Sequence, residues 1–176
     1  MGEAKTQKRE GGKNLILAID PGTFESAYVI MGEGLKPIEF GKVENKKLLK
    51  LIQNIKDKPY QVDHLAMEMV ASYGMAVGKD VFETCVWIGK FLQTASSKIP
   101  NLQRIYRKEV KMNLCHTMKA NDSNIRQALV DRFAYGVSNY GKGKKDNPGW
   151  FYGFAADVWQ AYAVGVTYYD TYLSNS

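Results

Sequence analysis

The chain is poor in the residues that bind soft metals or act as nucleophiles, with two cysteines and two histidines in 176 residues. Cys85 and Cys115 lie far apart in unlike surroundings, which reads as free thiols in a reducing cytosol and excludes a disulfide framework or a cysteine-built metal cluster. His64 and His116 fall in no nucleophile or zinc spacing, and His116, in a loop-like polar stretch, is the better candidate of the two for a chemical role. No apolar run reaches transmembrane length, and residues 1–13 are polar and charged, unlike a cleavable signal. The expectation is a flexible basic tail over 1–13 and a single domain over 14–176, located in the cytoplasm. Internal repeats and low-complexity linkers are missing too.

What is present is a core-forming composition, 45% hydrophobic, and an excess of positive charge, 24 Lys and Arg against 18 Asp and Glu. Net charge of +6 suits a polyanionic partner, although on its own it equally marks a merely basic soluble protein. Distribution favours the partner. The basic residues gather in the tail, in 104–111, at Lys119, and in the glycine-rich loop 140–149 with Lys142, Lys144 and Lys145.

Against that background three acids stand on apolar segments. Leu15-Ile16-Leu17-Ala18-Ile19 runs unbroken into Asp20, as expected of a strand buried on both faces, and Pro21-Gly22 turns the chain into a second strand at 26–31. Glu68 sits mid-strand in His64–Val70, where an unpaired carboxylate must take a proton, a cation or a metal, and no basic residue lies beside it in the strand. Asp157 opens the segment 155–166, which has the length and composition of a buried helix, and shares one face of it with 161, 164, 165 and 168. Taken singly, Asp20 is also explained as a turn former and Asp157 as a response to the helix dipole. Glu68 has no such local explanation.

The remaining elements follow from periodicity. A strand is expected over 36–42, completing an antiparallel meander, and a helix over 46–56 with Leu48, Leu49, Ile52 and Ile55 inward. A long helix over about 77–98 carries Val81, Cys85, Ile88, Phe91, Leu92 and Ala95 on one stripe and leaves Phe82 and Trp87 outside it. A further helix, 123–137, starts at the capping run Asn121-Asp122-Ser123, with Ile125, Ala128, Leu129 and Phe133 inward. The fold class is therefore α/β, a mixed sheet with a helical crossover.

In combination, Ala18-Ile19-Asp20-Pro21-Gly22-Thr23, Ala66-Met67-Glu68 and Ala155-Ala156-Asp157 resemble the RuvC family of Holliday junction resolvases. The aromatic-rich stretch 149–162 more narrowly resembles the RuvC-like resolvases of phages that infect Gram-positive bacteria. The likeness spans roughly 14–172, with the motifs in the family's order. It implies a ribonuclease H-like fold, with three antiparallel strands plus parallel strands flanked by helices. It also implies a homodimer joined through the long helix, and a magnesium-dependent endodeoxyribonuclease, with manganese as a substitute, that resolves four-way and other branched DNA by paired nicks. Asp20, Glu68 and Asp157 become its catalytic, metal-holding acids, and the location becomes the bacterial host cytoplasm if the source is a phage. Oxygen-only donors suit magnesium, and an ion pair about 3.5 to 4 Å apart would activate water and stabilise the leaving oxygen without a histidine or cysteine nucleophile.

Phe154 stands where the family has a fourth acid, leaving Asp146 or a backbone carbonyl as replacements. Lys111 resembles the family's lysine after the fifth strand, and a second family lysine falls near Asp122, so that Lys119 takes its role or the role is absent. For Tyr73 two readings stay open, stacking on an unpaired base or covering the core edge. Other functions remain in view: a branched-DNA-binding or scaffolding module without cleavage, and a looser flap or fork endonuclease. Actin-like ATPases and sugar kinases share the Asp-Pro-Gly-Thr turn but need a second such domain and a second phosphate loop, which this chain lacks.

Overall fold

The computed structural model describes residues 15–174. The expected tail over 1–13 lies outside them. Strand β1 (Leu15–Asp20) is buried along its five apolar residues and surfaces only at Asp20. It pairs antiparallel with β2 (Glu25–Met31), which pairs antiparallel with β3 (Pro37–Glu44), giving the expected meander. Helix α1 (Asn45–Gln53) then crosses to β4 (Val62–Met69), parallel to β1, and α2 (Lys79–Ser96) crosses to β5 (Asn101–Tyr106), parallel to β4. The sheet order is β3-β2-β1-β4-β5. Helices α3 (Arg107–Cys115) and α4 (Asp122–Phe133) follow, then a small hairpin of β6 (Gly143–Lys144) and β7 (Asn147–Pro148), and finally α5 (Val158–Tyr168).

Alternation along the strands divides the core into two layers. Leu17, Ile19, Ile30, Leu65 and Met67 face α1 and α2, packing on Leu48, Ile52, Ile88 and Phe91. Ile16, Ala18, Ala27, Val29, Ala66 and Ile105 face α5, with α3 and α4 beyond it. Helix α5 is buried at every position, as its apolar composition leads one to expect, because it is covered by the sheet on one side and by α3, α4 and the aromatic 150–154 segment on the others. At Gly165 a Cβ would stand 2.9 Å from that of Ala18 and 2.3 Å from Met31 Sδ, so glycine sets how closely this helix approaches the sheet.

Three helices are shorter than periodicity suggests, α1 ending at Gln53 and not at 56. Helix α2 begins at Lys79 and buries Thr84, Ile88, Phe91 and Ala95, leaving Val81, Cys85 and Leu92 half-buried. Helix α4 stops at Phe133, four residues early; its start is as expected, with Asn121 Oδ1 accepting from Asn124 N at 3.0 Å. Among the described residues no helix is long and apolar enough to cross a membrane.

Candidate active site

The strand register builds most of the site. Asp20 pairs with Ala27, and Ala27 with Lys42 on the other side. One step beyond the Ile19–Met67 pairing, Asp20 stands beside Glu68, which in turn pairs with Ile105. Residues opposite one another share a face, and Ala27 and Ile105 belong to the layer under α5. The row Lys42, Ala27, Asp20, Glu68, Ile105 therefore crosses the whole sheet on the α5 side, near the C-terminal ends of the parallel strands.

The turn after Asp20 is locked from below. Gly22 N donates to Ser26 Oγ (3.1 Å), Ser26 Oγ to Asn45 Oδ1 (2.6 Å), and Asn45 Nδ2 to the Gly22 carbonyl (2.9 Å). Ser26 and Asn45 are both buried, and a Cβ on Gly22 would stand 2.3 Å from the Glu25 carbonyl oxygen. Pro-Gly is thus needed sterically as well as for the turn.

Asp20 and Glu68 lie against each other in hydrogen-bond contact. Burial, then the charge of Glu68 and the bond to it, then the charge of Asp157, push the Asp20 carboxyl up to about 9, against the opposing pull of Arg107. Burial is also the first cause that raises Glu68. Two desolvated carboxyls this close cannot both ionise, so the pair retains a proton at neutral pH.

Arg107, at the start of α3 directly after β5, is the cation of this pair. Its Nη1 lies 3.9 Å from Glu68 Oε1, and its guanidinium also donates to Gln160 Oε1 on α5 and to Asp122 Oδ1 at the start of α4. Glu109 holds the helix start by accepting from Tyr106 N at 2.6 Å. The partner missing from the Glu68 strand is therefore supplied by the end of the neighbouring strand.

Asp157 occupies the N-cap position of α5, preceded by Ala156 at φ 45°, a strained conformation for a residue with a Cβ. Its carboxylate caps nothing; it accepts from Lys42 Nζ at 2.6 Å. That bond is the first cause raising the Lys42 ammonium, with the charges of Asp157, Glu25 and Asp20 adding to it. Asp157 also lines a cleft of about 330 Å³ with Asp122, Ser123, Arg126, Trp159 and Gln160.

Asp20 and Glu68 are thus brought together, and Asp157 is brought to the same row but turned to Lys42. Among the described residues no three His, Cys, Asp or Glu side chains are grouped tightly enough to hold an ion as they stand. Phe154 points into the core, within a ring cluster of Phe40, Phe151, Trp159 and Tyr162 at centroid distances of 4.7 to 5.5 Å. The acid whose charge reaches Glu68 besides Asp20 and Asp157 is Asp122, not Asp146, which stands exposed between β6 and β7.

Of the expected DNA contacts, Lys111 lies a turn beyond Arg107 on α3, its Nζ 3.5 Å from the Met118 carbonyl, and Lys119 is exposed in the α3–α4 turn. Lys144 and Lys145 are exposed on the hairpin and Lys142 is half-buried. Tyr73, at φ 49°, is 58% exposed, so it stands in solvent and does not cover the core edge. His64 is a packed residue whose Nδ1 lies 2.9 Å from Tyr168 Oη, while His116 is the exposed left-handed cap of α3. Both cysteines are free and half-buried.

Sequence reasoning missed Lys42, Arg107, Asp122 and Gln160. For Arg107 the signal was available, since a residue just past β5 lies next to the strand of Glu68 once the strand order is known.

No protein-family model and no curated protein matches the chain. Among solved structures, Thermus thermophilus RuvC bound to a Holliday junction substrate superposes with a TM-score of 0.64 over 88% of this chain and 92% of its own, at 12% identity. The fold is that of RuvC. A second Thermus thermophilus RuvC structure gives 0.61 at 14% identity, covering 89% and 95%. Fowlpox virus resolvase, in complex with its substrate Holliday junction, gives 0.51 at 14% identity, covering 91% and 99%. In this chain Asp20 ends β1, Glu68 lies near the end of β4, and Asp157 precedes α5.

Proposed function

We propose that this chain is a divalent-metal-dependent endodeoxyribonuclease that cuts branched DNA, with the four-way junction as its principal substrate. The observation that carries the reading is the half-buried Asp20–Glu68 pair at the C-terminal ends of β1 and β4 in a RuvC fold. Two carboxyls forced to share a proton beside an apolar core have no structural use, and a cation in place of the proton relieves them. Their donor set is oxygen alone, which fits magnesium, and manganese equally. Asp20, Glu68 and Asp157 would hold the metal, the last after leaving Lys42. Bound there, it would lower the pKa of an attacking water and stabilise the leaving 3′ oxygen.

The chain's own residues do the rest. Arg107, fixed by Asp122 and Gln160, offers a guanidinium next to Glu68 for a backbone phosphate. Lys111, Lys119, Lys142, Lys144 and Lys145 give the sequence-independent part of DNA binding, and Tyr73 offers a ring to an unpaired base. Trp87 is half-buried against the layer under α1 and α2 and so leaves the expected exposed edge, whereas Phe82 and, one turn on, Val86 are 61% and 51% exposed and offer an apolar face through which two copies would pair, giving two sites for two opposed strands.

End-labelled four-way junction and matched linear duplex test this directly. Wild type with magnesium should nick the junction in pairs and leave the duplex intact, and EDTA should stop it. Asp20→Asn should bind the junction and cut it at least ~10³-fold more slowly, the loss expected when a group that stabilises the transition-state charge is removed. Junction binding without cleavage under any divalent ion would leave the scaffolding role.

A further inference from the structure

We infer that Lys42 is a positioning residue of the metal site, a built-in cation that holds Asp157 apart from Asp20 and Glu68 until a divalent ion displaces it. This rests on the metal-dependent reading above. The first observation is geometric: Lys42 lies on the same cross-sheet row as Asp20 and Glu68, two and three strands away, and its Nζ reaches Asp157 Oδ2 at 2.6 Å. The second is the state of the three acids, with Asp20 paired to Glu68 while Asp157 is engaged elsewhere, so that no three acids are grouped to hold an ion.

The chemistry follows from charge. An ammonium and a divalent ion compete for the charge of one carboxylate, so the Lys42 ammonium on Asp157 Oδ2 opposes the binding of an ion there. The pair is accessible, with side chains 38% and 49% exposed, so it can open without disturbing the core. Asp157 is carried on a strained turn at the head of a fully buried helix, so its backbone is fixed and the exchange is a side-chain rotation. Freed, the Lys42 ammonium stays on the row that bears the site, where a DNA phosphate is the anion that can take it up. The device keeps the metal-free site neutral at Asp157 and raises the ion concentration at which the site fills.

Manganese titration of the metal-free full chain, read by the electron paramagnetic resonance of free Mn²⁺, separates the possibilities for wild type, Lys42→Met, Lys42→Arg and Asp20→Asn. Lys42→Met should bind Mn²⁺ about two- to fivefold more tightly, the range an exposed ion pair is worth as a competitor. Lys42→Arg, which keeps the charge, should restore wild-type affinity. A merely structural pair would lower the melting temperature of Lys42→Met and leave its Mn²⁺ affinity unchanged; unchanged or weaker binding in a folded Lys42→Met overturns the inference. Asp20→Asn distinguishes this failure from that of the parent reading. If wild type and Asp20→Asn bind Mn²⁺ alike, the metal site is not at Asp20, and both fall together.

Discussion

The two faces of the central sheet are equally buried and built differently. Toward α1 and α2 the layer is mainly aliphatic, with Leu17, Ile19, Ile30, Leu48, Ile52, Leu65 and Ile88, and its charged groups are at the periphery. Toward α5 it is a lattice of rings, Phe133, Trp150, Phe151, Phe154, Trp159 and Tyr162, combined with small residues where helix meets sheet. Tyr162 even ties α5 to the far end of the meander by donating to the Leu35 carbonyl at 3.0 Å, while Trp150 Nε1 donates to Tyr162 Oη. Aliphatic side chains fill volume by many equivalent arrangements, whereas rings with fixed edge-to-face contacts and a glycine-limited helix approach admit few. The layer that carries Asp20 and Glu68 is the one with few alternatives. One face supplies stability, and the other supplies stability and position.

Substitutions on the two faces should differ in kind. The largest effect is expected from Leu65→Ala in the aliphatic layer, destabilising by about 2 to 5 kcal/mol in urea unfolding, with Mn²⁺ affinity of the remaining folded protein unchanged. A parallel loss of metal binding would erase the distinction between the faces. Gly165→Ala on the other side should cost less stability, about 1 to 3 kcal/mol, yet reduce junction cleavage by the folded fraction, because α5 and with it Asp157 must shift.

The acids sharpen the contrast through pH. Asp20 goes from an ordinary 3.8 in the unfolded chain to about 9 when folded and metal-free, so between those values the folded state keeps a proton that the unfolded state has lost. Its contribution to stability is present in full below the lower value and is lost as pH rises through the upper one. Metal-free wild type should therefore lose stability from pH 6 to 9, by at most about 1.4 kcal/mol per pH unit, and Asp20→Asn should flatten that slope. Calorimetry in EDTA measures both, and parallel slopes would remove the shared proton from the description. The smallest effect on stability is expected at Phe82→Ser on the outer side of α2, within about 0.5 kcal/mol, with the outcome read in sedimentation as a shift toward monomer.

Much of this was legible in the chain itself. An unbroken apolar run ending in Asp20, the strand-like runs after it and the strand-centred Glu68 carried the meander and the parallel strand reached by a helical crossover. The partners of the acids were not legible, for a physical reason. Lys42 and Asp157 are 115 residues apart, and Arg107 and Gln160 are 53 apart, so these pairs exist only once strand order and helix placement are set. Phe154 shows the opposite limit. In sequence it marks the place of an absent acid, while in the structure it is a core ring, because the chain enters α5 at Val158 and Phe151 and Phe154 pack inward ahead of it. The aromatic richness of 149–162 was visible; that it replaces a ligand with packing was not.

The burial of α5 has a consequence for how the molecule comes into being. This helix is enclosed by strands made from the beginning of the described chain, and its Tyr162 bonds a carbonyl 127 residues earlier. Contacts of such long range form late in folding, after the loops between them have been closed. During synthesis, Asp20 on β1 and Glu68 on β4 leave the ribosome well before Asp157. A nuclease built this way would stay inactive until α5 seats, so that completing the fold and gaining the activity would be one event.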